Sequence, residues 1–446
     1  MTNKTLISEI QLKKRREQLL GQLNGGAALI VSNPQQSQSR DLTFRYREDS
    51  DLFYLTGITE PEVALLLLDK PKSPRSILYL RERDIKQEIW VGERLGVKRA
   101  RAGIDVDEVK DIRDFEFDFA KLMEQVPTLH YAAGINPQID SLVWEMFQTT
   151  VGPRLSFPNA IFDLRLLTAP MRVKKDAEEI KLLREVAKIS ADGFKDFIPL
   201  LKHCTTEKHA AKILEAMFIE FGADDTSFET IIASGKNATC LHHHPTHKTL
   251  AGKELVLIDA GARRQGYAAD ITRTVPYSGK FSLEQREAYE IVNRAVDQAI
   301  AFSKPGVSLE QIHTHTVQVI TEGLVEAKII RGTVSQAIKK ELYKNFFMHK
   351  TGHLLGIDTH DISPIFRKKR GKIETGESFR VQPLEPGNVF TIEPGLYFRA
   401  DNPLTPRRFR GIGIRIEEDV LITSKGCEVL TKLLPREAEE IEALVG

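Results

Sequence analysis

Glu254-Leu-Val-Leu-Ile-Asp-Ala-Gly261, followed after a short turn by Gly266-Tyr-Ala-Ala-Asp-Ile-Thr-Arg-Thr-Val275, is the stretch that decides the fold. Both halves are short apolar runs bounded by glycine, the pattern of two antiparallel strands joined in a hairpin. A turn centred on Arg264-Gln265 places Asp259 and Asp270 directly opposite each other. Residues so placed have Cβ atoms roughly 4.5–5.5 Å apart, where like charges repel. Two ionised carboxylates on an apolar hairpin need either a shared proton or a cation, and a divalent metal supplies that charge. The competing interpretation makes one aspartate a turn residue and the other a cap.

Three further segments carry compatible chemistry. Met348-His-Lys-Thr-Gly-His-Leu-Leu-Gly-Ile-Asp-Thr-His-Asp361 holds His349, His353 and His360. The first two suit one helical face, although Gly352 and Gly356 favour an irregular loop equally well. Val389-Phe-Thr-Ile-Glu-Pro-Gly-Leu-Tyr397 ends a strand at Glu393. Gly411-Ile-Gly-Ile-Arg-Ile-Glu-Glu-Asp419 puts Ile412, Ile414 and Ile416 on one strand face and Gly413, Arg415 and Glu417 on the other. A glutamate between apolar strand residues is paired to an arginine or bound to metal.

Taken together, Asp, Asp, His, Glu, Glu in this order, with a spacing of eleven between the aspartates, resembles the pita-bread metal peptidases. That group includes methionine aminopeptidase, aminopeptidase P and prolidase. The resemblance implies a two-metal centre held by Asp259, Asp270, His353, Glu393 and Glu417. Asp270 and Glu417 would bridge both ions, Asp259 would complete one, and His353 with Glu393 the other. It further implies a bridging hydroxide as nucleophile, Glu393 as its base, and His242, His349 and His360 lining the pocket. A hard, oxygen-rich set favours Mn²⁺ first, with Co²⁺, Fe²⁺ or Zn²⁺ as alternatives. Arg415 would brace the ligand glutamates, Arg380 would lie near the site, and Tyr397 would help wall a proline pocket. In His242-His-His-Pro-Thr-His247, the last three histidines read as solvated loop residues, with no carboxylate beside them in sequence.

The likeness extends to the first part of the chain. Asp49-Ser-Asp-Leu-Phe-Tyr-Leu-Thr-Gly57 and Glu88-Ile-Trp-Val-Gly-Glu-Arg94 resemble words of the aminopeptidase P N-terminal domain. Within the superfamily this favours aminopeptidase P, which releases the residue before a penultimate proline, over prolidase, which splits Xaa-Pro dipeptides. A peptide-binding module without catalysis would have lost ligands, and all five positions are intact. The segment Arg367-Lys-Lys-Arg-Gly-Lys372 is a departure, longer and more basic than the family loop. Its readings, in order, are a solvated loop, a substrate gate and a nucleic-acid contact.

Composition agrees with a two-domain α/β protein. The 446 residues are 41% hydrophobic and 28% charged, and 63 Lys and Arg against 62 Asp and Glu leave no global attraction to nucleic acid or anionic lipid. Three cysteines make no disulfide framework, no apolar run approaches a membrane span, and no signal-peptide core is present, so a cytoplasmic protein is expected.

A boundary at Thr168-Ala169-Pro170 separates an N-terminal α/β domain (1–170) from a pita-bread domain (171–446) with a largely antiparallel sheet. In the first, Ala27–Val31, Ala64–Leu68, Ser76–Tyr79, Leu129–Ala133 and Arg165–Leu167 read as strands. The second opens on a helix signalled by Asp176 and Glu179. Its expected strands are Leu255–Asp259, Tyr267–Val275, Val389–Glu393 and Ile412–Ile422. The partners implied are Xaa-Pro peptides and, from family habit, a second copy of the chain in a dimer or tetramer. Trp90 would reach a neighbouring subunit or pack within its own chain.

Overall fold

Apolar runs without a polar face form strands buried on both sides, and they build the first unit. Ala27–Val31, Ala64–Leu68 and Ser76–Leu80 are buried along their whole length. The computed structural model describes residues 7–70, 75–124, 126–149, 158–363, 365–366 and 377–446. It places these strands in a six-stranded sheet ordered Glu108–Asp111, Ser76–Leu80, Ala64–Leu68, Ala27–Val31, Thr128–Tyr131, Ala160–Phe162. The two central pairings are antiparallel and the outer three parallel. Asp49-Ser-Asp-Leu-Phe-Tyr-Leu-Thr-Gly57 folds as the helix Ser50–Thr56, capped by the Asp49 side chain at Leu52 N–H and closed by Gly57. Arg15 and Arg16, both buried, donate to the Tyr54 and Leu55 carbonyls at 3.0 and 2.7 Å, satisfying acceptors the helix end leaves open.

One strand expectation fails in this unit, and the residues around the expected boundary are helical. Arg165–Leu167 is not a strand but opens the helix Arg165–Val173, and Ala160–Phe162 takes the place in the sheet. Thr168-Ala169-Pro170 lies inside that helix. Thr168 Oγ1 and Arg172 both donate to the buried Asp51 at 2.8 Å, and these contacts override the local preference of proline. The chain divides into compact units at Met1–Arg172 and Val173–Gly446. Trp90 is 84% exposed, so it does not pack within its own unit.

The second unit begins as its capping signal requires, with Asp176 and Glu179 closing a capping box on the helix Ala177–Phe197. The helices Glu207–Glu220, Leu283–Phe302 and Leu309–Glu326 follow. Every strand pairing among its described residues is antiparallel. Ile231–Ser234, Leu255–Ala260 and Ile271–Pro276 form one sheet, and Val389–Ile392, Glu418–Thr423 and Gly426–Val429 another.

The hairpin turn sits one residue later than expected. Gln265 and Gly266 both have positive φ, 47° and 83°, the conformation whose twist suits a two-residue hairpin. Asp259 therefore pairs with Thr272 rather than Asp270. Asp270 is its diagonal neighbour, two residues along, and the two-residue period still puts both on one face. The expected strands Tyr267–Val275 and Ile412–Ile422 are each broken, at Ala269-Asp270 and at Ile416-Glu417. Segment 348–361 contains no helix, so His349 and His353 belong to a loop. The basic segment Arg367–Lys372 lies outside the described residues. No helix among the described residues is long and apolar enough to cross a membrane.

Candidate metal centre

The strand breaks are where the acidic side chains converge. Asp270 and Glu417 occupy the two interruptions, and Glu393 stands one residue past Val389–Ile392. Asp270, His353 and Glu417 each bring a donor atom within 4.8 Å of the others. His353 Nε2 is 3.5 Å from Asp270 and 3.7 Å from Glu393. Its Nδ1 lies 3.0 Å from the Leu354 carbonyl. A hydrogen on Nδ1 fits that contact and leaves Nε2 bare toward the carboxylates, the tautomer a metal ligand needs.

These carboxylates fit a cation better than they fit each other. Asp259 Oδ1, Asp270 Oδ1 and Glu417 Oε1 are buried without a hydrogen-bond partner, an arrangement that is costly unless a cation fills it. Burial and the neighbouring Glu417 push Asp270 and Glu393 well above the usual carboxylate range. Glu417 is raised to about 8 by burial and Asp259. Burial and nearby His360 depress His353 to about 3, keeping the imidazole neutral. Four carboxyl groups and a neutral imidazole form a hard donor set suited to divalent ions.

The arginine works differently from expectation. Arg415 is buried, and its guanidinium donates to Asp259 Oδ2 at 2.5 Å, to Thr272 Oγ1 at 3.2 Å and to Tyr397 Oη at 2.9 Å. It braces the aspartate rather than the glutamates, because residue 415 sits beside the hairpin strand that carries Thr272 and Thr274. Tyr397 is fully buried and so is not a pocket wall. Its hydroxyl accepts from Arg415 and lies 2.9 Å from His349 Nε2, to which its own proton can go. His349 Nδ1 faces the Lys350 carbonyl at 2.8 Å, and burial with nearby Arg415 lowers its pKa to about 4. The chain Asp259–Arg415–Tyr397–His349 thus fixes the orientation of a neutral imidazole.

His360 lies against His353 with ring centroids 4.0 Å apart and planes tilted by 37°, and both His360 and His242 are exposed. Burial lowers His360 with a smaller contribution from nearby His242, which contributes to His349 only after burial, Arg415 and His313. Arg380 donates to the Gly352 carbonyl at 2.9 Å and approaches Glu310 at 3.6 Å. It stands behind the histidine loop rather than among the carboxylates. Nor is His243 solvated. Its Nε2 lies 2.9 Å from buried Glu207, while His244 meets Glu229 at 2.9 Å, carboxylates that are distant in sequence.

Some contributors escaped the sequence. Asp419 Oδ2 accepts the Asp270 N–H at 3.2 Å, and Thr272 Oγ1 donates to Glu417 at 2.8 Å. Each lies two residues from a ligand and so on the same strand face, a period-two signal that could have found both. Thr351 ties the histidine loop to the glutamate strand, since its carbonyl accepts the Glu393 N–H at 2.7 Å. No sequence pattern marks that contact.

Comparison with known proteins agrees with this geometry. Residues 181–424 match metallopeptidase family M24, and residues 12–130 match the aminopeptidase P N-terminal domain. An Xaa-Pro aminopeptidase of Escherichia coli is 35% identical over 98% of both chains. The solved structure of E. coli aminopeptidase P in its low-pH form superposes with a TM-score of 0.91, at 35% identity and 98% coverage of each chain. The same enzyme with the inhibitor Pro-Leu gives 0.90, at the same identity and coverage. With more than half its length inside the peptidase match, and a relative this similar from end to end, the chain belongs to metallopeptidase family M24.

Proposed function

We propose that this protein is an Xaa-Pro aminopeptidase, releasing the N-terminal residue from peptides with proline second. The observation that carries the proposal is the group of buried, unpartnered carboxylate oxygens facing His353 in a chain that matches such enzymes along its whole length. Asp259, Asp270, His353, Glu393 and Glu417 would hold two divalent ions, Mn²⁺ first on donor chemistry. When bound, such ions supply Lewis-acid charge and lower the pKa of coordinated water.

The protein's own groups do the rest. Glu393 Oε takes the proton of the attacking water and delivers it to the proline nitrogen as the bond breaks. That nitrogen carries no hydrogen before cleavage, so proteases relying on an amide N–H fail at this bond. His242, His349 and His360 line the substrate's path and steady the developing oxyanion. Arg415 and Tyr397 keep Asp259 and His349 in place, and Arg380 holds the loop between the two histidines.

We take residues 1–170 as the aminopeptidase P-like N-terminal domain and 171–446 as the catalytic domain. Exposed Ile85, Ile89, Trp90 and Val91 support self-association, and three free cysteines suit the cytoplasm. The test is hydrolysis of an Xaa-Pro-Xaa tripeptide and an Xaa-Pro dipeptide by chelator-treated protein, with and without Mn²⁺. Metal-dependent preference for the tripeptide supports the proposal. The reverse preference makes the protein a prolidase, and metal binding without cleavage of either makes it a peptide-binding module.

A further inference from the structure

Glu207 is fully buried at the first turn of the helix Glu207–Glu220. Its carboxylate faces one segment only. Oε1 accepts from Ser234 N–H at 2.8 Å, Ser234 Oγ at 2.9 Å and Asn237 Nδ2 at 2.9 Å. Oε2 accepts from Thr246 N–H at 3.1 Å and Thr246 Oγ1 at 2.8 Å, and lies 2.9 Å from His243 Nε2. Burial alone would raise this group, but the bonds from His243, Ser234, Asn237 and Thr246 prevail and hold it at about 2. A single carboxylate therefore grips both ends of the loop 234–246 and two points within it, Asn237 and His243.

The second of these matters because His243 adjoins His242 in the chain. His242 is exposed, and the proposed function sets it with His349 and His360 along the substrate's path. The neighbouring main chain bonds to the segment at its far end, from Lys208 N–H to Thr246 O, Glu207 N–H to Lys248 O and Leu250 N–H to Thr205 O. The peptide carrying His242 has its buried side-chain anchor in His243, while the His244 contact to Glu229 on its other side is exposed.

We propose that Glu207, through its contact with His243, is a positioning residue for the peptidase reaction, fixing the loop that presents His242 to the substrate. The proposal rests on the peptidase assignment above. The test is steady-state kinetics of the full-length, Mn²⁺-loaded protein on an Xaa-Pro-Xaa tripeptide, with bound metal measured for every variant. Glu207→Gln should lower kcat about 10- to 100-fold with unchanged metal content, the scale of a misplaced catalytic group. In a His242→Ala background the same change should cost less than about twofold, because the positioned group is gone. His243→Leu should behave like Glu207→Gln, whereas His243→Gln, which keeps an N–H donor, should retain most of kcat. If Glu207→Gln fails to fold, the two His243 variants and their His242→Ala doubles decide alone. Full multiplication of the two defects, or kcat/KM within about twofold of wild type for both Glu207→Gln and His243→Leu, overturns the proposal. Wild-type protein that cleaves neither tripeptide nor dipeptide overturns the peptidase assignment itself, and this proposal with it.

Discussion

Glu393 stands just past the end of its strand, 3.7 Å from His353 Nε2, and is proposed above as both ligand and base. Glu393→Ala should reduce kcat/KM on an Xaa-Pro tripeptide by at least about 10²–10⁴, the usual share of a general base. Circular-dichroism melting should show the fold retained. Tyr397→Phe removes only a hydroxyl, yet that hydroxyl joins Arg415 to His349. One lost hydrogen bond of about 1 kcal/mol predicts a several-fold fall in kcat/KM, larger in kcat than in KM. A titrating residue outside the centre offers a pH test. Burial depresses His313 to about 4, and its Nδ1 meets Thr351 Oγ1 at 2.9 Å. A histidine held below its unfolded value of roughly 6.5 favours folding above that pH, and the advantage is lost as pH falls toward 4. Denaturant midpoints of His313→Gln should therefore change less than wild type between pH 7 and 4, by about 2–3 kcal/mol in ΔG. The candidate ligands could be picked out at this scale because chemistry and order are carried by single residues, and the structure brings Asp270, His353 and Glu417 together. The partners of Arg415 and His243 were not, since Asp259 and Glu207 lie far from them in sequence.

At the scale of elements, the loop from His349 to His353 is fixed by close approach rather than by secondary structure. A Cβ on Gly352 would come within 1.7 Å of the Thr391 carbonyl oxygen, on the strand that leads to Glu393. Gly352→Ala must push the loop and that strand apart, displacing His353 and Glu393 relative to each other. The expected result is a stability loss of about 1–3 kcal/mol or more in thermal melts, together with loss of Mn²⁺ binding by calorimetry. Helices were readable because capping boxes and apolar periodicity are local: Asp176 with Glu179 marked the start of Ala177–Phe197. The strand breaks at Asp270 and Glu417 were not readable. Apolar alternation runs straight through both, and only the tertiary convergence of carboxylates interrupts the ladders. The hairpin register failed for a smaller reason, the positive φ at Gln265, which an L-residue seldom adopts.

For the molecule as a whole, the buried carboxylates make metal-free protein a strained state. Chelation should lower thermal stability, and adding divalent metal back should restore it by about 2.7 kcal/mol at a hundredfold excess over Kd. Calorimetric scans with Mn²⁺ and with Mg²⁺ would separate a specific site from general screening. The donors also come from widely spaced parts of the chain, beginning at Asp259 and ending at Glu417. A site assembled from such distant segments exists only after most long-range pairing is complete, so the folding transition state holds no metal pocket. Metal should consequently leave the refolding rate unchanged while slowing unfolding. A nascent chain would reach its native topology unaided, and the ion would act afterwards as a latch on protein already folded.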